Sequence, residues 1–231
     1  MPRKQFMVDD VPVNIYKRRG SRSLRLSISA DGEVRVSIPA WAPYSSGLQF
    51  ARSKYDWILA QRRPDQALQD GQAIGKAHHL RFVAKIGISK PTGRVVPGTV
   101  LVSYPADLTI TDPTVQQAAR SGSIRALRAQ AEQLLPQRLT ELAETHGFRY
   151  NSVGVKQLKS RWGSCDQDKN IVLNLFLMQL PWEYIDYVLL HELTHTKIMR
   201  HGPDFWEAMT RLRPDAKTLR KRLQEHRPVL G

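Results

Sequence analysis

The chain has 231 residues, and its 35 lysines and arginines against 21 acidic residues give a formal net charge of +14. With 41% hydrophobic and 8% aromatic residues it can pack a core, which excludes an unfolded polyelectrolyte. Its single cysteine, Cys165, excludes an internal disulfide framework, no run of 18 apolar residues is present, and Met1-Pro2-Arg3-Lys4-Gln5-Phe6 lacks an apolar secretory segment, so a cytoplasmic location is expected.

Leu24, Leu26 and Ile28 alternate with Arg25 and Ser27, and Val34, Val36 and Ile38 alternate with Arg35 and Ser37, on either side of an Asp31-Gly32 turn. This predicts a β-hairpin with one apolar face. After Pro39 and Pro43, the spacing of Leu48, Ala51, Tyr55, Ile58 and Leu59 predicts one helix reaching Arg62-Arg63-Pro64. Between residues 71 and 111, short β-prone runs at Leu80 to Ile88 and Val100 to Tyr104, punctuated by Gly and Pro, predict two or three further strands. Neighbours on such a strand, His78 and His79 would point to opposite faces, which argues against a shared metal.

From Val115 to His146 the repeat Ile124, Leu127, Ala131, Leu134, Leu135, Leu142 predicts a long helix, with Pro136 a candidate kink and Gly147 its stop. Val153 to Val155 and Ile171 to Leu173 read as a hairpin around the Asp166 to Asn170 turn. The expected fold class is α+β, with a β-rich region of hairpin and helix over 1–112 and a helical catalytic region over 113–231. Asp112-Pro113 is the weak boundary, and the two regions are expected to form one compact unit.

A second helix is predicted to start near Pro181, with Ile185, Leu189 and Leu193 as its buried row. It carries His191-Glu192-Leu193-Thr194-His195. Residues four apart on a helix lie about 40° apart around the axis and about 6 Å along it, which lets two imidazoles reach one metal ion. Glu192 then points beside the metal without ligating it, where it can act as general base on a water. The competing reading of this pair is two structural histidines bonded to core groups. On an unbroken helix His201 would be about 80° off the ligand face and about 15 Å along the axis, so as a third ligand it requires a turn near Met199-Arg200. Gly202-Pro203 favours such a break, and the rivals for that role are Asp204 and Glu207.

The elements Ser160-Arg161-Trp162-Gly163-Ser164-Cys165, Asn170-Ile171-Val172-Leu173-Asn174, Tyr187 to His195 and His201-Gly202-Pro203-Asp204-Phe205-Trp206 together resemble the YgjP-like family of zinc-dependent metallopeptidases, kin to the SprT-like and WLM zincins. The match is close over about residues 150 to 215 and looser over the front hairpin. The resemblance implies a zincin-like catalytic region, one Zn2+ per chain on His191, His195 and His201, Glu192 as general base, and a protein or peptide substrate. More distant metzincins with this histidine spacing carry Gly three residues after the second histidine; here it is Ile198, so the turn to His201 must be built differently.

Around this motif, Arg161, Tyr184 and Tyr187 are candidate contacts to substrate or oxyanion, Phe205 and Trp206 read as core residues fastening the third-ligand turn, and Cys165 as a small buried hydrophobe. Positive charge gathers at Lys17 to Arg25 and in the tail, where Arg211, Arg213, Lys217, Arg220, Lys221, Arg222 and Arg227 face only Asp215 and Glu225. That charge suits nonspecific nucleic acid or a solvated surface. Two other functions fit: a metal-dependent nucleotide or phosphoanhydride hydrolase, and a nucleic-acid-binding protein whose closed structural metal would need Cys165 as fourth ligand.

Overall fold

In the N-terminal part, Val11, Val13 and Ile15 on one strand and Val34, Val36 and Ile38 on another point to the same buried side, and this double alternation organises a four-stranded sheet. The structure, a computed structural model, describes residues 3–28, 32–61, 67–228 and 230. By its internal contacts the chain divides into two compact units, Met1–Gln66 and Ala67–Leu230.

The first unit contains β1 (Arg3–Val8), β2 (Val11–Arg18), β3 (Arg25–Ile28), β4 (Val34–Pro39), α1 (Tyr44–Arg52) and α2 (Tyr55–Gln61), with sheet order β1-β2-β4-β3. The expected hairpin is present as the antiparallel β3–β4 pair, with Leu26 opposite Val36. Its turn residue Asp31, and the Arg62-Arg63-Pro64 stop expected after the helix, lie outside the described residues. Strands β1 and β2 are additions to that expectation. The exposed Arg3, Lys4 and Gln5 of β1 carry no apolar signal, and β2 pairs parallel with β4 across the sequence between them. The single expected helix is two. The Ser53 hydroxyl donates to the Phe50 carbonyl and the Lys54 N–H to Ala51, so the chain turns between α1 and α2.

The second unit begins with β5 (Ala73–Ile74), β6 (His78–Lys85), β7 (Thr92–Val96) and β8 (Thr99–Pro105), in the order β5-β6-β8-β7, four strands where two or three were expected. Helix α3 (Pro113–His146) follows. Asp112, where the sequence suggested a boundary, is its N-cap and accepts the Thr114 N–H, with Pro113 in the first turn. The helix runs on through Pro136 to Gly147, whose φ of 64° supplies the left-handed cap. Gln116 bonds both backbone groups of Leu68, and Gln130 bonds the Lys76 N–H and the Ile74 carbonyl, so the strands before α3 are fastened to it. The unit boundary at residue 66 follows from these bonds.

A three-stranded sheet of β9 (Ser152–Lys156), β10 (Gly163–Cys165) and β11 (Asn170–Asn174) comes next, in the order β10-β11-β9. The expected pairing of residues 153–155 with 171–173 exists but is parallel, and the hairpin around residues 166–169 is made by β10 and β11. A 3-10 turn (Leu175–Gln179) leads to α4 (Trp182–His195), α5 (Pro203–Leu212) and α6 (Ala216–Leu223). The fold is thus mixed α+β with several small sheets and, among the described residues, six α-helices. None of them is long and apolar enough to cross a membrane.

Candidate metal centre

Ile185, Leu189 and Leu193 are fully buried, as their spacing predicts, and they seat α4 in the core of the second unit. Across its other side the Arg138 guanidinium of α3 grips the Asp186 carboxylate in two hydrogen bonds of 2.8 and 2.7 Å. The helix stops at His195, just before the expected turn. Thr196 donates its hydroxyl to the Leu193 carbonyl, and Lys197 reaches the Gly147 carbonyl at 3.0 Å with its ammonium 4.3 Å from the Phe148 ring centroid. The chain then doubles back through Ile198 to Gly202, the N-cap of α5. The turn from the helix to His201 is thus made without a glycine.

The reversal carries His201 back to the helix histidines. Nε2 of His191, His195 and His201 form a triangle with edges of 3.2, 3.1 and 3.0 Å. The point equidistant from all three lies about 1.8 Å from each in their plane, close to the Zn–N distance of about 2.0–2.1 Å. The His195 Nδ1 lies 3.1 Å from the Ile198 carbonyl. A carbonyl only accepts, so in the neutral ring Nδ1 carries the proton and Nε2 turns a lone pair toward the triangle's centre. This donor set fits a divalent cation. The Phe205 ring, fully buried, lies under all three imidazoles with centroids 4.9, 4.6 and 4.8 Å from those of His191, His195 and His201. Its packing, with Trp206 at 6.1 Å from His201, fastens the turn as expected.

Neither rival third ligand joins the cluster, nor does Cys165, among the described residues. Glu207 instead pairs with Arg211 on its own helix. The arrangement is therefore a three-nitrogen set without the fourth protein ligand that a closed structural site needs.

Glu192 is buried beside this cluster, 5% exposed. Burial pushes its carboxyl up to about 8, opposed by the charge of Arg161. Burial also lowers His191 to about 3, assisted by His195, His201 and Arg220 in that order. His195 is lowered too, by burial first. Low proton affinity keeps these imidazoles neutral, the form that ligates metal.

The other expected contacts are divided. The Tyr187 ring lies 6.0 Å from that of His191, and burial raises its hydroxyl to about 12. Tyr184 is buried against His226, 5.4 Å away, and that contact does not bring it to the histidines. Arg161 is exposed in the loop before β10. That loop is held by Asn174, fully buried, whose amide donates to the carbonyls of Leu158 and Arg161 at 2.8 Å each. Sequence reasoning missed the roles of Asn174, of Gly163, which abuts Glu192, and of Arg220, whose charge reaches His191. Gly163 and Asn174 stood in the sequence only as members of the family-like elements, and Arg220 only as one cation among many in the basic tail.

The profile of the YgjP-like, metallopeptidase domain family matches residues 22–226. The chain belongs to this family. As a YgjP-like metallopeptidase it is a metal-dependent hydrolase. No curated relative matches it. Among solved structures, the metallopeptidase zymogen of Pyrococcus abyssi abylysin is similar at 23% identity over 42% of this chain and 100% of that one, with a TM-score of 0.37. The metallopeptidase zymogen of Methanocaldococcus jannaschii jannalysin is similar at 19% identity over 39% of this chain and 94% of that one, with a TM-score of 0.36. At these TM-scores neither structure bears on the reading of the site.

Proposed function

We propose that this YgjP-like chain is a zinc-dependent peptidase of the zincin type in which His191, His195 and His201 hold one zinc ion and Glu192 is the general base. The observation that carries this reading is the triangle of three Nε2 atoms, 3.0 to 3.2 Å apart, beside a buried carboxylate. Zinc held there would supply Lewis acidity, lowering the pKa of a water toward about 7 and polarising a carbonyl oxygen.

The protein's own groups do the rest. Glu192 takes the proton of the attacking water and returns it to the leaving amine. Its buried position excludes bulk water from that transfer. Among the described residues strand β10 is paired on one side only, with β11, and its other edge is the candidate for strand addition by an extended peptide. Tyr187 and Arg161 are the donors best placed for the developing oxyanion, because one borders His191 and the other acts on Glu192.

The test is bound metal and hydrolysis on purified wild type, His195→Ala and Glu192→Gln, with an unfolded protein and a nucleoside triphosphate as substrates. One zinc per chain, lost in His195→Ala and kept in Glu192→Gln while proteolysis disappears, is the expected result. Hydrolysis of the triphosphate alone would replace the peptidase reading with a phosphohydrolase, and a wild type purified without chelators that binds no zinc would overturn the centre itself.

A further inference from the structure

Helix α6 buries Ala216, Leu219 and Leu223 against α4 and α5 and leaves Arg220 on its exposed side. The guanidinium carbon of Arg220 lies 4.5 Å from the centroid of the Trp206 ring. That ring in turn stands 6.1 Å from His201 and 6.4 Å from His191. The nearby arginines of the same segment are neutralised, Arg211 by Glu207 and Arg213 by Asp215. Arg220 engages no carboxylate among the described residues.

An unpaired cation at the rim of a cation-binding centre opposes metal binding, since like charges repel across the short distance that Trp206 spans. The cost is offset when an anion sits between the two. Stacking on an indole occupies the face of the guanidinium and leaves its in-plane N–H donors free for two parallel bonds to one carboxylate. Trp206 therefore holds Arg220 in the posture of an anion receptor. Arg161, in the loop before β10, is a second exposed arginine.

We propose that Arg220 is a specificity-determining residue of this site, which binds a carboxylate of the peptide substrate next to the scissile bond. The proposal rests on the reading of the three histidines as the metal ligands. The carboxylate comes either from the substrate's C-terminus or from an acidic side chain, and the two sources are separable by experiment.

The measurement is calorimetric binding of short peptides to the zinc-loaded Glu192→Gln protein, so that it does not depend on turnover. Two peptide pairs are used, one differing in a C-terminal acid or amide and one in Glu or Gln beside a central bond. In one pair the charged member is expected to bind about 10-fold tighter or more. Adding Arg220→Gln brings that ratio close to one, and Arg220→Lys keeps an intermediate preference because it retains the charge without the fork. A response of the acid and amide pair assigns the C-terminal carboxylate, and a response of the Glu and Gln pair assigns the side chain. Zinc content and thermal unfolding accompany each variant, with Arg220→Lys as the informative one if Arg220→Gln unfolds. No preference for either charged peptide, a preference that both Arg220 variants leave intact, or an equal weakening of charged and neutral members overturns the proposal. Failure of the metal reading shows itself separately, as zinc retained in His195→Ala.

Discussion

Gly163 on β10 lies so close to Glu192 that a Cβ there would stand 2.7 Å from its Oε1, 2.9 Å from its Cγ and 3.0 Å from its Cδ. No carbon sits that near another heavy atom without displacement, and a buried glutamate has little room to move. Gly163→Ala is therefore expected to shift Glu192 while leaving the three imidazoles in place. Zinc content should remain one per chain and kcat/KM should fall about 10-fold or more, since misplacing a catalytic group by about 1 Å costs up to about 100-fold. Unchanged kinetics in Gly163→Ala would mean that this contact does not position the base.

Asn174 places the loop that carries Arg161. Its amide donates to the carbonyls of Leu158 and Arg161, and its side-chain oxygen accepts the Phe176 N–H at 3.2 Å. Asn174→Leu keeps the branched shape but adds the bulk of two methyl groups in place of the amide atoms and leaves these backbone groups without partners, which costs about 2–3 kcal/mol of stability or more. Urea unfolding measures it. A loss below about 0.5 kcal/mol would show that water takes over the bonds.

The Arg138 and Asp186 pair fastens α3 to the helix bearing the histidines. It is bidentate and Asp186 is mostly buried, but Arg138 is 37% exposed and also meets Glu141. Solvent screening therefore limits the expected coupling in a double-mutant cycle of Arg138→Ala and Asp186→Ala to about 1 kcal/mol. Strict additivity of the two substitutions would show the contact to be energetically silent.

Cys165, on β10, tests the electrostatics around Glu192. Burial first, then the charges of Glu192 and Asp166, raise its thiol to about 11. A raised pKa means that the thiol stays protonated at pH 8 and gains reactivity only toward pH 11. Alkylation by iodoacetamide at pH 8, followed by mass spectrometry, should be about 10- to 100-fold slower than for a free thiol. Labelling as fast as a free thiol would contradict the burial on which that expectation rests.

What could be read from the sequence alone is what short-range spacing encodes. The apolar row Ile185, Leu189, Leu193 and the histidines four apart sit on one helix, the ends of α3 are written in Asp112-Pro113 and Gly147, and the β3–β4 hairpin follows from simple alternation. Helical and β periodicities are local, so they survive without knowledge of the partner surface. The tertiary structure decided the parallel pairings of β2 with β4, β6 with β8 and β9 with β11, because register between distant strands depends on which faces are buried together. It likewise decided that α3 binds the strands before it, that β10 replaces β9 in the hairpin, that Gly163 stands against Glu192, and that Arg220 lies over Trp206 next to the histidines. Those residues are far apart in the chain and share no periodic signal; they are related only through the packing of β10 and α6 against α4.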